Sequence, residues 1–422
     1  MASTSLSQPN TNVTRDTTES LPQDQPVGSS VSDQEPEVEV SVVIPCLNEH
    51  ETIARCVEKA LRAFREHGIA GEVVVADNGS TDGSRELAAQ AGARVVPVTQ
   101  RGYGNALMGG IAAAQGRFIV MGDADDSYDF GETPKFVAKL REGYDLVQGC
   151  RLPAGGGTVK PGAMPFLHRW LGNPALTALA RVMFRIPFHD VYCGMRGFTK
   201  EFYQAIGQRC TGMEFATEMV VKSRIYKRKV TEVPITLWPD GRVVGKKHLR
   251  TFRDGWRTLR FYLLYSPRWL FWHPGLLLMA VGLIGYALAL PGVTLGGITL
   301  DVHTLLVASL ALLLGQQSAI FAVLATTYAI NTGLRPSTPN VERFFRLFNL
   351  ERGLALALGL MVAGLVCLAV AVGSWWSVNF GALDYAQTMR WVIPGVTLAT
   401  LGAQTLFGSF LCSILSIGRT SE

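Results

Sequence analysis

Two aspartates one residue apart, Asp123 and Asp125, are the side chains best placed to do chemistry. They follow the apolar run Arg117 to Met121, which is typical of a buried strand. Paired carboxylates at a strand end can share a hard divalent cation such as Mg²⁺ or Mn²⁺, which takes oxygen ligands and leaves positions open for phosphate oxygens. Such a cation would neutralise a departing diphosphate. The position after a strand sets this pair apart from the many acidic pairs that lie in solvated loops.

Strand-like and helix-like segments alternate up to this pair. Apolar, β-branched runs occupy residues 38–45, 72–77, 93–98 and 117–121, and helical spacing occupies residues 48–67, 84–91 and 104–114. This alternation predicts an α/β fold with a mainly parallel sheet covered on both faces. Ligands bind such sheets at the carboxyl ends of the strands, where Asp77 and Asp123 fall.

Composition excludes several classes of protein. The seven cysteines of the 422 residues are scattered without a Cys-x-x-Cys pair, which indicates reduced thiols rather than disulfides or zinc. No glycine-rich phosphate or dinucleotide motif follows the first strand. The net charge of +5 is mild, and no nucleic-acid partner is expected. Residues 1–36 are polar enough to predict a disordered tail, and no secretory signal is expected there.

Long apolar runs dominate the C-terminal part of the chain. Four membrane spans are predicted at residues 270–290, 303–330, 354–372 and 391–417, each near the roughly 20 residues that cross hydrocarbon as a helix. Basic residues crowd residues 242–268 and the loop between the second and third spans, whereas the other two loops carry only Arg390. The positive-inside rule therefore predicts that the N-terminal domain, the middle loop and the C-terminus are cytoplasmic.

The segment before the first span is amphipathic. Apolar residues such as Trp256 and Leu263 follow one stripe and arginines such as Arg257 and Arg260 another, which suits an anionic membrane surface. Packing of this helix on the soluble domain is the alternative. The predicted domains are a tail (1–36), an α/β domain (37–240), a juxtamembrane helix (241–268), a four-span domain (269–417) and a short tail (418–422).

Four short motifs carry a resemblance to a known family. They are Pro45-Cys-Leu-Asn48-Glu49, Asp77-Asn-Gly-Ser-Thr-Asp82-Gly, Asp123-Ala-Asp125 and Arg196-Gly-Phe. In this order they resemble family 2 glycosyltransferases, and within these the dolichyl-phosphate mannosyltransferase and polyprenyl-phosphate glucosyltransferase group. The resemblance spans about residues 37–260, and the four spans are similar in kind to the multi-span branch of that group.

The resemblance implies a GT-A fold and inverting, metal-dependent transfer of a hexose from a nucleotide-sugar to a polyprenyl phosphate. It implies catalytic roles for Asp123, Asp125 and Arg196, and a Mg²⁺ or Mn²⁺ site at Asp123, Asp125 and Ser127. The substrate-binding residues that it implies are Pro45, Asn48, Glu49, Asp77, Asn78, Arg101, Gly102, Asn105, Ala124, Arg151, Glu218, Arg242 and His248. Because the acceptor phosphate is already anionic, no strong general base is required, and positioning and electrostatics can supply the rate.

The chain departs from the family pattern at three places. Asp126 stands where the family has leucine, and Asn78 follows Asp77 where the family has a second acid. His248 stands where the family has lysine, in a stretch that begins at Arg242. These differences leave the donor open between UDP-glucose and GDP-mannose, with a preference for UDP.

Two other functions compete with this one. A processive polysaccharide synthase also joins such a domain to spans, and Gln387-Thr-Met-Arg390-Trp391 matches its signature, but on the predicted outer side. A membrane scaffold with an inactive sugar-nucleotide domain is the other alternative, against which the retained Asp123 and Asp125 argue. The expected location is a bacterial inner membrane, with membrane lipid as a partner and a homo-oligomer as a further possibility.

Overall fold

The computed structural model describes residues 38–166, 168–242 and 251–416. The strands that precede the membrane helices are β1 (Val40–Cys46), β2 (Gly71–Asp77), β3 (Arg94–Pro97), β4 (Phe118–Met121), β5 (Leu146–Cys150), β6 (Thr158–Val159), β7 (Arg196–Thr199), β8 (Val230–Pro234) and β9 (Thr236–Leu237). The helices among them are α1 (Ile53–Glu66), α2 (Ser84–Gln90), α3 (Tyr103–Ala113), α4 (Thr133–Arg141), α5 (Asn173–Phe184), α6 (Lys200–Ile206) and α7 (Glu214–Ile225). We call residues 38–242 the sheet domain.

A seven-stranded sheet in the order β3-β2-β1-β4-β7-β5-β8 forms the centre of the sheet domain. Strands β3, β2, β1 and β4 are parallel, so their carboxyl ends meet at one edge. Strand β7 runs antiparallel to β4 and β5, and β8 is parallel to β5. The prediction of a mainly parallel sheet is therefore confirmed, with one reversed strand that the alternating pattern did not predict.

Helices cover both faces of the sheet, as predicted. Along β1, Val42 and Ile44 pack with α1, α2 and α4, whereas Val43 packs with α3, α5, α6 and α7. Because successive side chains of a strand point to opposite faces, a continuous β-branched run buries both faces of the sheet. Burial of each such side chain contributes about 1.5–3 kcal/mol.

The first helix is shorter than its sequence pattern predicts. The pattern extends from residue 48, but α1 begins at Ile53. Asn48 has a φ of 58°, a left-handed conformation that an α-helix does not accommodate. Its backbone N–H donates to the Ser80 hydroxyl at 2.9 Å and its side-chain oxygen accepts from the Thr81 N–H at 2.9 Å. Residues 47–52 therefore form a loop at the carboxyl edge of the sheet instead of a first helical turn.

The remaining elements belong to the juxtamembrane and membrane regions. They are α8 (Thr251–Tyr265), α9 (His273–Ala289), β10 (Thr294–Leu295), β11 (Ile298–Thr299), α10 (Val302–Asn331), α11 (Pro339–Leu347), α12 (Leu350–Ser377) and α13 (Tyr385–Ser416). Within the described ranges, four helices are long and apolar enough to cross a membrane, at Arg268–Ala289, Val302–Asn331, Leu350–Ser377 and Tyr385–Ser416. They coincide with the four predicted spans.

Glycines allow these membrane helices to pack closely. A methyl group on Gly364 of α12 would lie 2.6 Å from the backbone of Gly395 and Ala399 on α13, so only hydrogen fits there. Between α10 and α13, the Gln316 amide donates to the Leu401 carbonyl and to the Thr405 hydroxyl, both at 2.8 Å. Small residues and interhelical hydrogen bonds are what hold helices together in lipid.

Two polar contacts identify opposite ends of this bundle. At one end, Arg390 at the start of α13 pairs with Asp301 before α10 at 2.9 Å. At the other end, the Arg209 guanidinium of the sheet domain donates to the carbonyl of Thr332, just after α10, at 2.8 Å. The Gln-x-x-Arg-Trp sequence therefore lies at the end of the bundle away from the sheet domain, as expected from the charge pattern.

Helix α8 packs on the sheet domain. Phe261 and Tyr262 are buried among the side chains of α5 and α7, while Trp256 and Leu264 are exposed beside Arg257 and Arg260. The alternative of a helix packed on the soluble domain thus describes one face of α8. The exposed face still combines apolar and basic side chains, as a membrane surface requires.

Candidate functional site

The end of β4 places Asp123 and Asp125 at the carboxyl edge of the sheet. One carboxylate oxygen of Asp123 accepts a hydrogen bond from the Tyr103 hydroxyl at 2.9 Å. Burial and the neighbouring charge of Asp125 raise the pKa of Asp123 to about 6. The two carboxylates thus repel each other where each has little water, a situation that a bound cation would relieve.

A tight turn orients Asp125. Its Oδ1 accepts from the backbone N–H of Ser127 at 3.1 Å and from the Ser127 hydroxyl at 2.6 Å. The next residue, Asp126, has a φ of 59° and pairs with Lys59 at 2.8 Å. The aspartate that departs from the family pattern therefore turns away from the pair and anchors the turn to α1.

The segment after β9 returns to this edge and places the positively charged side chain of Arg242 there. The Arg242 guanidinium lies 3.0 Å from the Glu49 carboxylate, 3.6 Å from Asp125 and 2.5 Å from Asp240. The backbone N–H of Gly241 donates to the Asp125 carbonyl at 2.9 Å. Burial raises the pKa of Glu49 to about 7, against the opposing effect of Arg242. Among the described residues, this cluster of Glu49, Asp125, Asp240 and Arg242 joins the loop after β1 to the loop after β4.

The loops after β1 and β2 form the adjacent part of the edge. Pro45 is half-buried at the end of β1, and Asn48 is exposed. Asp77 is fully buried and accepts hydrogen bonds from the backbone of Gly79 and Ser80 and from the Arg85 guanidinium. Burial alone would raise the pKa of Asp77, but these donors hold it below its usual value. Asp77 therefore shapes the turn that carries the Asp-Asn-Gly-Ser-Thr-Asp motif.

Asn78 fixes the loop of residues 100–105, which we call the 100–105 loop. Its amide donates to the carbonyls of Val98 and Gln100 at 3.0 and 2.8 Å, and its oxygen accepts from the Gly102 N–H at 2.8 Å. Arg101 is exposed on this loop, and the Asn105 amide donates to the Arg101 carbonyl at 2.9 Å. All four of these predicted substrate-binding residues thus lie in one connected structure.

Arg151 is neutralised within the protein. Its guanidinium donates to both oxygens of the fully buried Asp190, at 2.7 and 2.9 Å, and to the Tyr128 hydroxyl at 3.3 Å. Although burial opposes it, the charge of Asp190 holds the pKa of Arg151 well above its usual value. Tyr128 accepts in turn from the Gly194 N–H at 2.8 Å, next to Asp123. Arg151 therefore stabilises the position of Tyr128, which lies next to Asp123.

Arg196, predicted as catalytic, is fully buried at the start of β7, where it pairs with Met121 of β4. Its guanidinium donates to the carbonyls of Cys193 and Ala216, at 2.6 and 2.5 Å, and its Nε is buried without an acceptor among the described residues. Burial lowers the pKa of Arg196. The structure thus places this cation under the edge that carries Asp123.

The other predicted residues are dispersed. Ala124 is buried, and its carbonyl accepts from the Cys56 thiol at 3.5 Å. Glu218 is buried on α7, where protein groups engage both of its carboxylate oxygens. His248 lies outside the residues that the structure describes.

Sequence reasoning missed several residues that contact predicted site residues, among them Tyr103, Tyr128, Asp190 and Asp240. Tyr103 sits between Gly102 and Gly104, so its place in a glycine-containing loop was a signal for a functional role. Asp190 precedes Arg196 by six residues, and no local pattern connects it with Arg151. Their contacts depend on the folding of separate segments onto one edge.

Comparison with known proteins agrees with this architecture. Residues 41–207 match the model of glycosyl transferase family 2, and residues 323–416 match the glycosyltransferase family 2 C-terminal transmembrane region. The low-salt glycan biosynthesis hexosyltransferase Agl6 of Haloferax volcanii is 36% identical over 377 residues, which cover 89% of this chain and 89% of that protein.

Two further relatives match about half of the chain. The dolichyl-phosphate hexose transferase of Haloferax volcanii is 32% identical over 218 residues, covering 51% of this chain and 89% of that protein. The undecaprenyl-phosphate 4-deoxy-4-formamido-L-arabinose transferase of Salmonella paratyphi B is 29% identical over 210 residues, covering 48% of this chain and 61% of that protein.

The sheet, the acidic edge and the apolar helices together define a membrane-integral glycosyltransferase with a GT-A-like domain. This chain belongs to glycosyltransferase family 2, as its match to Agl6 along nearly the whole length of both proteins shows. The family resemblance of the four sequence motifs is thereby confirmed.

Proposed function

We propose that this enzyme transfers a hexose from a nucleotide-sugar to a polyprenyl phosphate at the cytoplasmic face of the membrane. The observation that carries the proposal is the Asp123–Asp125 pair, at the carboxyl edge of a sheet domain that continues directly into membrane helices. Two relatives, a dolichyl-phosphate hexose transferase and an undecaprenyl-phosphate transferase, support this class of acceptor.

The reaction requires two bond changes. An oxygen of the acceptor phosphate attacks the anomeric carbon of the sugar, and the bond from that carbon to the diphosphate breaks. The products are a polyprenyl-phospho-sugar and a nucleoside diphosphate, with inversion at the anomeric carbon. Because the attacking phosphate is anionic, the protein supplies alignment and charge stabilisation rather than a strong base.

The residues present fit a divalent cation. Hard cations take oxygen ligands, and Asp123, Asp125 and Ser127 offer two carboxylates and a hydroxyl side by side. Among the residues described, the second carboxylate oxygen of Asp123 accepts no hydrogen bond and is therefore available. When bound there, Mg²⁺ or Mn²⁺ would neutralise the leaving diphosphate.

Other residues divide the remaining tasks. Asn48, Glu49 and the loop after Asp77 form the pocket for the nucleotide, while Asn78 holds the 100–105 loop against the donor. Arg242 reaches the same space as Asp125 and can pair with a phosphate, since guanidinium groups bind phosphate oxygens through paired hydrogen bonds. Arg151 and Arg196 lie inside the protein beneath Asp123, where they bind the Tyr128 hydroxyl and the Cys193 carbonyl and so stabilise the backbone around the site.

The proposal is tested by transfer assays with full-length protein in detergent. Undecaprenyl and dolichyl phosphate, Mg²⁺ or Mn²⁺, and a panel of radiolabelled UDP- and GDP-sugars are supplied. One donor should give a labelled lipid, and Asp125→Asn or chelation should reduce the rate at least 100-fold, on the scale of removing one strong electrostatic contribution to the transition state.

Asp129→Asn is the matched control, because Asp129 lies in the same acidic segment but caps the Gly131 N–H at 2.9 Å. This variant should retain most of the activity. Donor cleavage without labelled lipid would contradict the polyprenyl-phosphate acceptor, and full activity in chelator would contradict metal dependence.

A further inference from the structure

Glu218 of α7 is fully buried and saturated with donors. Its Oε2 accepts from the backbone N–H groups of Arg209 and Cys210, at 3.0 and 2.7 Å. Its Oε1 accepts from the Tyr265 hydroxyl at 2.9 Å and lies 2.8 Å from the Lys222 ammonium. Burial would raise the pKa of Glu218, but Lys222 and the two N–H groups hold it below its usual value. The buried carboxylate thus ties residues 209–210 to the last residue of α8.

The segment that Glu218 holds presses directly on the start of α3. The Asn105 N–H donates to the Thr211 carbonyl at 3.2 Å. A methyl group on Gly102 would lie 2.6 Å from that carbonyl oxygen, and one on Gly104 would lie 2.7 Å from the Thr211 carbonyl carbon. With no space between the two backbones, the position of residues 209–211 determines the position of the 100–105 loop.

The start of α3 is also connected to the acidic pair. Tyr103 lies between Gly102 and Gly104, and its hydroxyl donates to Asp123 at 2.9 Å. A displacement of the 100–105 loop would therefore move or break the one hydrogen bond that orients this carboxylate among the described residues. The contacts run without a gap from Tyr265, through Glu218 and Thr211, to Asp123.

Residues 209–211 contact the membrane region through Arg209, and two neighbouring elements, α8 and the end of α7, also reach it. Tyr265 ends the juxtamembrane helix α8, and the chain enters the first membrane helix three residues later, at Arg268. Arg209 donates to the Thr332 carbonyl after α10 at 2.8 Å, and the Tyr226 hydroxyl lies 3.4 Å from the Gly333 carbonyl. Residues 209–211 are thus held between the membrane helices and the site.

We propose that Glu218 is a positioning residue that couples docking of α8 to the geometry of the 100–105 loop. Loss of the Tyr265 contact leaves residues 209–211 less restrained, which in turn loosens the start of α3 and the contact with Asp123. The inference that this affects nucleotide affinity rests on the proposed function, since there the 100–105 loop binds the donor.

Tyr265→Phe tests the coupling, because it removes one hydroxyl and keeps the ring that stacks on Phe261 at 4.3 Å. Tyr262→Phe is the matched control: it lies on the same helix and loses a hydrogen bond to the Tyr192 hydroxyl at 2.8 Å. Amide hydrogen exchange is measured on both full-length variants in detergent, without nucleotide. Tyr265→Phe should speed exchange at the amides of Arg209, Cys210 and Asn105 about fivefold or more, as loss of one buried hydrogen bond implies.

In Tyr262→Phe, the exchange rates of those three amides should stay within twofold of those in the unmodified protein. This should hold even if the melting temperature of Tyr262→Phe falls as far as that of Tyr265→Phe. Equal exchange in the two variants would overturn the coupling, whatever the donor is. The Kd values of UDP and of GDP are then measured by calorimetry in the presence of Mn²⁺. Tyr265→Phe should raise the Kd of whichever nucleotide the unmodified protein binds by about fivefold. If the unmodified protein binds neither nucleotide, the proposed donor class is wrong, and the exchange result still decides the coupling.

Discussion

At the scale of single residues, the site is a cluster of closely paired charges, most of them partly buried. Glu49, Asp125 and Asp240 share Arg242, and Asp123 depends on Tyr103 for its single hydrogen bond among the described residues. Neighbouring carboxylates that are partly removed from water are costly when ionised together, so added positive charge would stabilise this edge. A bound metal ion would add positive charge and a nucleotide diphosphate would add negative charge. Arg242 is placed to leave its carboxylate partners and pair with the diphosphate.

The raised pKa of Glu49 predicts a pH-dependent stability. Because the folded protein binds the Glu49 proton more tightly than the unfolded chain, stability from this group is complete below its usual value of 4.5 and is lost as the pH rises through about 7. At pH 5, Glu49→Gln should therefore melt at the same temperature as the unmodified protein or at a lower one. Between pH 5 and pH 8, the melting temperature of the variant should rise relative to that of the unmodified protein. The expected change is on the order of 1–2 kcal/mol, or a few degrees in Tm.

Thermal melts of both proteins in detergent between pH 5 and 8 measure this difference. Glu58→Gln, which removes an exposed carboxylate on α1, is the control for the loss of one negative charge from the same domain. A Glu49→Gln profile parallel to that of the unmodified protein would show that Glu49 is not perturbed in the folded state.

At the scale of elements, loops rather than helices carry the site, and glycines permit their contacts. Gly102 precedes α3 with a φ of 133°, a conformation that L-residues rarely adopt, and its Cα faces the Thr211 carbonyl. The same loop is clamped by Asn78. Two segments separated by about a hundred residues in the chain thus meet at a position where a methyl group has no space.

Gly102→Ala should reduce sugar transfer at least tenfold, because the new methyl group must displace the Thr211 carbonyl or the 100–105 loop. Gly143→Ala is the matched control, since Gly143 also has a positive φ, 85°, but has no atom within 4 Å of the added carbon. Both substitutions should cost roughly 1 kcal/mol from backbone strain. Initial rates and melting temperatures separate the two effects, and equal activities would contradict the close approach at Gly102.

At the scale of the whole molecule, the sheet domain and the membrane helices form a continuous structure. Arg209 and Tyr226 contact the loop after α10, whereas the Asp301–Arg390 pair closes the other end of the bundle. The loop after α10 is also the loop rich in arginine. Charge and structure therefore place the sheet domain on the same side as this loop, and the β10–β11 hairpin on the opposite side.

Cysteine labelling tests this orientation. Ile298→Cys in the exposed β10–β11 hairpin should react with a membrane-impermeant maleimide in intact cells. Ser337→Cys, exposed in the loop after α10, should react only after lysis, because the positive-inside rule places that loop in the cytoplasm. The unmodified protein, with its seven cysteines, provides the background. The reverse pattern of labelling would contradict a cytoplasmic sheet domain.

Local sequence patterns were enough to predict the strand and helix alternation, the four apolar spans and the position of Asp123 and Asp125 after β4. Hydropathy and periodicity are local properties, so they report local structure and burial without knowledge of the fold. They did not determine the start of α1, where Asn48 bonds to a turn more than 30 residues away.

Which charged side chains are available to a ligand, and which are neutralised by protein partners, depends on contacts between distant segments of the folded chain. Arg151 pairs with Asp190, 39 residues distant, and Arg242 reaches Glu49 across 193 residues. Glu218 and Arg196 were both predicted as site residues from the family resemblance, yet the fold buries both and commits them to protein partners. The physical reason is that the energy of a charge depends on its burial and its neighbours, and both are set by segments that only folding brings together.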